Sequence, residues 1–278
     1  MKLDSHQHFW KYDPIEYGWI DKSMQLLQRD FLPHDLKGTL TENGFSGTIA
    51  VQARQSIDET RWLLQLAEKN PFIKGVVGWV DLCAKEIELQ LAELSKHTKL
   101  VGVRHVLHDE SDDQFMLRAE FKNGIRCLKK YNLTYDLLLF PKHLKIACEL
   151  VDEFPDQPFV IDHISKPAIK EGTHEPWKSD IEELAKFKNV YCKLSGMVTE
   201  ADLNKWNQST FDTYLEIIFD TFGPERLMIG SDWPVCLLGG DYSEVMAIVT
   251  NYISKFELRI QNKIMGENAI QFYHLSDL

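Results

Sequence analysis

Leu3-Asp4-Ser5-His6-Gln7-His8 sets the pattern for the whole chain: a short run suited to a β-strand that ends in polar side chains. Seven more runs of this kind follow, at 48–54, 75–81, 100–104, 134–140, 159–163, 190–195 and 227–232. The segments between them have helical spacing. Ser56-Ile57-Asp58-Glu59 has the form of a capping box, in which a Ser and a Glu three residues on satisfy two free amides. Leu63, Leu66 and Ala67 share a face behind it. Pro141 suits a first helical position, ahead of Leu144, Ala147, Cys148 and Val151 at i, i+3, i+4 and i+7. Phe211, Leu215, Ile218 and Phe222 make a further stripe, closed by Gly223-Pro224. Strands alternating with helices of one apolar face predict βαβ units around a parallel sheet. Eight such units predict a (β/α)8 barrel, a fold that typically takes about 250 residues. The chain has 278 residues and no Pro/Gly/Ser linker, so one domain over 1–278 is expected, with one or two further helices after Tyr242.

Composition narrows the function classes. Hydrophobic residues are 44% and charged residues 26%, ordinary globular usage. Against 31 basic residues stand 42 acidic ones, a formal charge of −11. That balance argues against nucleic acid or an anionic membrane as partner, since both need clustered positive charge. No run approaches the roughly 20 apolar residues of a membrane span. The start, Met1-Lys2-Leu3-Asp4, has no apolar signal region, so a cytoplasmic protein is expected. Cys83, Cys127, Cys148, Cys192 and Cys236 are scattered without CxxC spacing and read as reduced, mostly buried thiols.

In a (β/α)8 barrel the active site lies at the C-terminal strand ends. His6 and His8 end the first run. Side chains alternate along a strand, so these two imidazoles point the same way, about 6–7 Å apart, and can share one divalent metal or one polarised oxygen. His163 ends the sixth run. In Leu227-Met228-Ile229-Gly230-Ser231-Asp232-Trp233-Pro234 an apolar strand stops abruptly at Asp232, a poor strand former. Alternation adds further candidates. If Ile49, Val51 and Ala53 face the helices, then Thr48, Ala50, Gln52 and Arg54 face inward. If Val101 and Val103 face the helices, Gly102 and Arg104 face inward. Tyr191, Lys193 and Ser195 share one face of the seventh strand. A cation in a barrel mouth needs an anion or a polarised oxygen beside it.

Taken together, these residues resemble the amidohydrolase superfamily: HxH on the first strand, a His on a middle strand and an Asp ending the eighth. The text around them is similar to the lactonase branch, which includes L-fuconolactonase-like and L-rhamnonolactonase-like enzymes and the 2-pyrone-4,6-dicarboxylate lactonases. The stretches that carry this are 3–10, Val51-Gln52-Ala53, 75–81, 102–105, Tyr135-Asp136-Leu137-Leu138, 162–167, 193–196, 230–235 and 265–269. The resemblance implies an enzyme of carbohydrate metabolism that hydrolyses a small-molecule sugar-acid lactone of the L-fucono-, L-rhamnono- or L-galactono- type. It implies His6, His8, His163 and Asp232 as catalytic and metal-ligating residues, and Gln52, Arg54, Arg104 and Trp233 around the substrate. Binuclear members carry a Lys or Glu bridge after the fourth strand and a His after the fifth; here Arg104-His105 and Leu138-Leu139-Phe140 stand there. At most one divalent metal, zinc, is therefore expected, and metal-independent catalysis is an open alternative. A homo-oligomer is admissible.

Asp232 is the expected general base for a water that attacks the lactone carbonyl, and the chain has no GxSxG turn for a covalent nucleophile. A competing reading is a metal-dependent decarboxylase or hydratase of a small carboxylic acid, with Arg54 and Arg104 pairing the substrate carboxylate. A non-catalytic binding barrel is the third, and three His with one Asp are costly to gather in a barrel without a purpose.

Overall fold

The computed structural model describes residues 1–203 and 205–275. All eight expected strands are present: β1 Leu3–Gln7, β2 Gly47–Val51, β3 Ile73–Gly78, β4 Leu100–His105, β5 Thr134–Leu137, β6 Phe159–Ile161, β7 Val190–Leu194 and β8 Leu227–Ile229. They form one parallel sheet in sequential order. The helices are α1 Pro33–Glu42, α2 Ile57–Lys69, α3 Ile87–Leu94, α4 Ala119–Leu128, α5 Leu144–Glu153, α6 Trp177–Leu184, α7 Gln208–Phe222 and α8 Tyr242–Ile253. Two short ones follow, α9 Leu258–Asn262 and α10 Asn268–Phe272, joined by a π-helical turn. The expected stripes pack as read, with Phe211, Leu215, Ile218 and Phe222 of α7 all buried. Among the described residues no helix is long and apolar enough to cross a membrane. All five cysteines are free; Cys192 and Cys236 are buried, but Cys83, Cys127 and Cys148 are only half-buried.

The barrel closes where β1 meets the segment after β8. The Asp232 amide donates to the His6 carbonyl at 2.8 Å and the His8 amide to the Trp233 carbonyl at 2.7 Å. The floor is apolar. Leu3, Ile49, Val51, Val77, Val101, Val160 and Met228 fill it, plugged from below by Ala269, Phe272 and Tyr273 of the C-terminal turn. This corrects the inward set expected for β2: Ile49 and Val51 line the interior, while Ala50 and Ala53 join the outer core with Val103. Val101, expected outward, also lies inside, where the β3–β4 register shifts. Both faces of a barrel strand are apolar near the floor, so alternation alone does not say which face is which.

Ser56 does cap α2, accepting the Glu59 amide at 3.3 Å. The capping box is only half formed. The Glu59 carboxylate instead accepts the Ala53 and Arg54 amides, each at 3.0 Å, and the Tyr17 hydroxyl at 3.0 Å. Glu59 thus holds the loop after β2 rather than its own helix start.

Candidate active site

Four side chains foretold from sequence converge at the top of the barrel. His6 Nε2 lies 3.2 Å from His8 Nε2 and 3.8 Å from Asp232 Oδ1. His8 Nε2 is 3.3 Å, and His163 Nε2 3.8 Å, from the same carboxylate oxygen. Neither His163 nor Asp232 sits on its strand, as the sequence had suggested. β6 ends at Ile161 and β8 at Ile229, and both residues follow in left-handed backbone, φ 55° and 58°. His163, Ile164, Ser165 and Lys166 are all left-handed in succession. Each such non-glycine residue costs about 1–2 kcal/mol, and strain of this kind persists only where the surroundings enforce it. Here Trp177 Nε1 donates to the Ile164 carbonyl at 2.8 Å, the Lys166 amide to His163 at 2.8 Å, and Lys166 Nζ pairs with Glu200 at 2.9 Å.

Beneath the four lies a layer of buried charge. Arg104 Nη1 donates to Asp162 Oδ2 at 3.0 Å, and its Nη2 to the Gln52 carbonyl at 2.5 Å. Lys193 Nζ is 2.5 Å from Asp136 Oδ2, 3.0 Å from Asp162 Oδ1 and 3.1 Å from His6 Nδ1. Tyr273 donates to Asp136 Oδ2 at 2.9 Å. Asp162 and Asp136 were not singled out from sequence. A carboxylate between apolar strand neighbours, as in Tyr135-Asp136-Leu137, is the signal that could have found them. On the outer side Asp4 accepts the Ser231 amide and hydroxyl, the His6 amide and the Tyr242 hydroxyl, and so ties β1 to the Asp232 turn.

Two of the expected substrate contacts lie elsewhere. Arg54 pairs with Glu16 and lies 5.4 Å over the Tyr17 ring, because Glu59 turns the loop after β2 outward. Trp233 is buried edge-on against Phe9 and Phe31, so it packs the closure rather than facing the centre. Gln52 and Arg104 do reach inward, Arg104 Nη1 standing 3.3 Å from His6 Nε2.

Electrostatics set the protonation states. Burial holds the His6 and His163 imidazoles well below their ordinary pKa, so both are neutral near pH 7. Burial pushes the Asp232 carboxyl up, but His163, His8 and Lys166 together more than offset this, and the group stays below the usual carboxylate value. Asp162 is likewise held well below: burial opposes ionisation, and Lys193, His6 and Arg104 together overcome it.

The donor set fits a metal ion. His8 Nδ1 is 2.8 Å from the Val51 carbonyl, which can only accept, so Nδ1 carries the proton and Nε2 a lone pair. That lone pair faces the Asp232 carboxylate at 3.3 Å. Two acceptors at that distance repel unless a proton donor or a cation lies between them. Zinc bonds of about 2.0–2.1 Å place tetrahedral ligands about 3.3–3.4 Å apart, close to the observed spacing. His6, His8 and Asp232 form one such group and His6, Asp162 and His163 another. A cavity of about 620 Å³, lined by Pro141, Lys166, Pro167, Thr199, Glu200 and Leu203, opens among the loops after β5, β6 and β7.

The amidohydrolase family model matches residues 3–275. An L-fucono-1,5-lactonase of Burkholderia multivorans is 38% identical, with 100% of this chain and 97% of that protein covered. An L-fucono-1,5-lactonase of Burkholderia ambifaria is 34% identical over 99% of this chain and 96% of its own length. A crystal structure of a Burkholderia multivorans amidohydrolase with bound zinc superposes with a TM-score of 0.96 at 38% identity, covering 99% of this chain and 100% of that one.

Proposed function

This chain belongs to the amidohydrolase family, and we propose that it is a lactone hydrolase that opens the ring ester of a sugar-acid lactone, with Asp232 as general base. The observation that carries this is the convergence of an ionised Asp232 and three neutral or lone-pair-bearing imidazoles in one buried centre, in a chain similar throughout its length to two L-fucono-1,5-lactonases. L-fucono-1,5-lactone is the first substrate to test, with L-rhamnono- and L-galactono-lactones beside it.

A lactone carbonyl is already electrophilic, so the enzyme needs a placed water, a base and a stabiliser for the oxyanion. Asp232 takes the proton of the attacking water as the C–O bond forms. Arg104 Nη1, beside His6 Nε2, faces the developing oxyanion as a donor. The tetrahedral intermediate expels the ring oxygen, and Asp232 returns the proton to it. One zinc held by His6, His8 and Asp232, with His163 alongside, would polarise the carbonyl and acidify the water.

The decarboxylase reading is weaker. It needs a cation for a substrate carboxylate, yet Arg54, one of the two expected partners, is paired with Glu16 instead. The protein, incubated with the lactone panel in weak buffer, is expected to release acid well above the spontaneous rate. No release from any lactone would overturn the reading.

A further inference from the structure

We propose that the Lys166–Glu200 ion pair determines specificity by reading neighbouring hydroxyls of the lactone, donating to one and accepting from the next. The inference rests on the lactonase reading for its substrate, and it assigns a role to two side chains that the catalytic steps do not use.

Lys166 Nζ meets Glu200 Oε1 at 2.9 Å. An ammonium has three N–H donors, and a carboxylate accepts on both oxygens. Among the described residues Nζ has no second partner and Glu200 Oε2 has none. The two side chains are 17% and 22% exposed, too enclosed to count as a surface pair. Both line the cavity of about 620 Å³ among the loops after β5, β6 and β7. The pair thus presents spare donors and a spare acceptor side by side on a concave wall. Adjacent hydroxyls of a polyol, each donor and acceptor at once, match that arrangement. A ring without hydroxyls would cover the charges and give them no partner in return.

Two loops bring the pair to the centre. On the β6 side the Lys166 amide donates to the His163 carbonyl at 2.8 Å. Lys166 ends the left-handed run that starts at His163, and strain of that kind gathers at ligand clamps. On the β7 side Gly196 lies so close to His163 that a Cβ would stand 2.3 Å from Nδ1. Thr199 Oγ1 donates to the Gly196 carbonyl at 2.9 Å, and Glu200 is the next residue. Behind larger influences, the charge of Lys166 also acts on both His163 and Asp232. The pair therefore borders the cavity on one side and the reacting centre on the other.

The test compares L-fucono-1,5-lactone with δ-valerolactone, a ring of the same size without hydroxyls. Full-length wild type, Lys166→Met and Glu200→Gln are assayed, each with a circular-dichroism melt. The quantity read is kcat/KM for the sugar lactone divided by kcat/KM for δ-valerolactone. In Lys166→Met this ratio is expected to fall about tenfold or more, the usual worth of hydrogen bonds to a charged group. In Glu200→Gln, which keeps the shape and one acceptor, it should fall too, but by less. A merely structural tie between the loops, or a changed field at Asp232, slows both lactones together and leaves the ratio where it was. An unmoved ratio in the folded variants would overturn the proposal. If Lys166→Met does not fold, Glu200→Gln decides by the same ratio. Where a lactone turns over too slowly to measure, calorimetry of L-fuconate against 5-hydroxypentanoate makes the same comparison. A wild type inert toward every lactone sinks the lactonase reading alone. A wild type without preference for L-fuconate, or a preference that survives in the variants, sinks the role of the pair.

Discussion

The Asp232 amide donates to the His6 carbonyl at 2.8 Å, so the bond that closes the barrel is also the bond that brings Asp232 to the histidines. Fold and site are coupled at that point. Asp4 reinforces it, holding the Ser231 amide at 2.9 Å and the His6 amide at 3.1 Å. Small displacements here should therefore reach the chemistry directly.

Gly196 tests that coupling. Its φ is 61°, and a Cβ there would stand 2.3 Å from His163 Nδ1. Gly196→Ala is expected to push the imidazole off Ser195 Oγ, which it now meets at 2.9 Å. A misplacement of about 1 Å can lower turnover about 10²-fold. Lactone kinetics beside a circular-dichroism melt would show a large loss of kcat in a protein that still folds.

The pH profile identifies the base. A base works only when unprotonated. Asp232 is held below 3.8, so its activity should be complete above that value and fall as pH drops through it. Between pH 5 and 7, kcat/KM should show no one-proton limb belonging to the base. A one-proton limb in that window, lost in His163→Gln, would instead make His163 the base.

Arg104 carries structural weight as well. Arg104→Leu strips Asp162 of one of its two cations inside the barrel. Breaking a buried pair from one side typically costs about 3–5 kcal/mol. Urea denaturation should show a loss of that order, and Arg104→Leu combined with Asp162→Leu should lose less than the sum of the two single changes.

Tyr273 ties the C-terminal plug to the charged layer through Asp136 Oδ2. Tyr273→Phe removes one buried hydrogen bond to an acidic group, worth about 1.5–3 kcal/mol. The midpoint of unfolding should fall accordingly, with little change in KM.

Much of this was legible in the chain. The eight strands are visible because each is a short apolar run followed by turn chemistry, and His6, His8, His163 and Asp232 because polar residues at strand ends have few other reasons to be there. What was hidden has a common cause. Ile49, Val51 and Val101 look alike on either face of a strand, so their orientation depends on register shifts at β1–β2 and β3–β4 that no local pattern encodes. Arg54 looked like Arg104, but Glu59, five residues on, draws its loop outward. Asp162 was overshadowed by His163 beside it, and its three cationic or imidazole neighbours come from β1, β4 and β7. Tyr273 acts on Asp136 across 137 positions, a contact that only the closed barrel creates.

Replacing Asp232 with Asn tests the central claim most directly. Asp232→Asn keeps the shape and removes the base. With L-fucono-1,5-lactone, or the best lactone of the panel, kcat is expected to fall about 10²–10⁴-fold, the usual worth of a positioned acid–base group, while KM changes little. An Asn variant that turns over at near the wild-type rate would contradict Asp232 as the base.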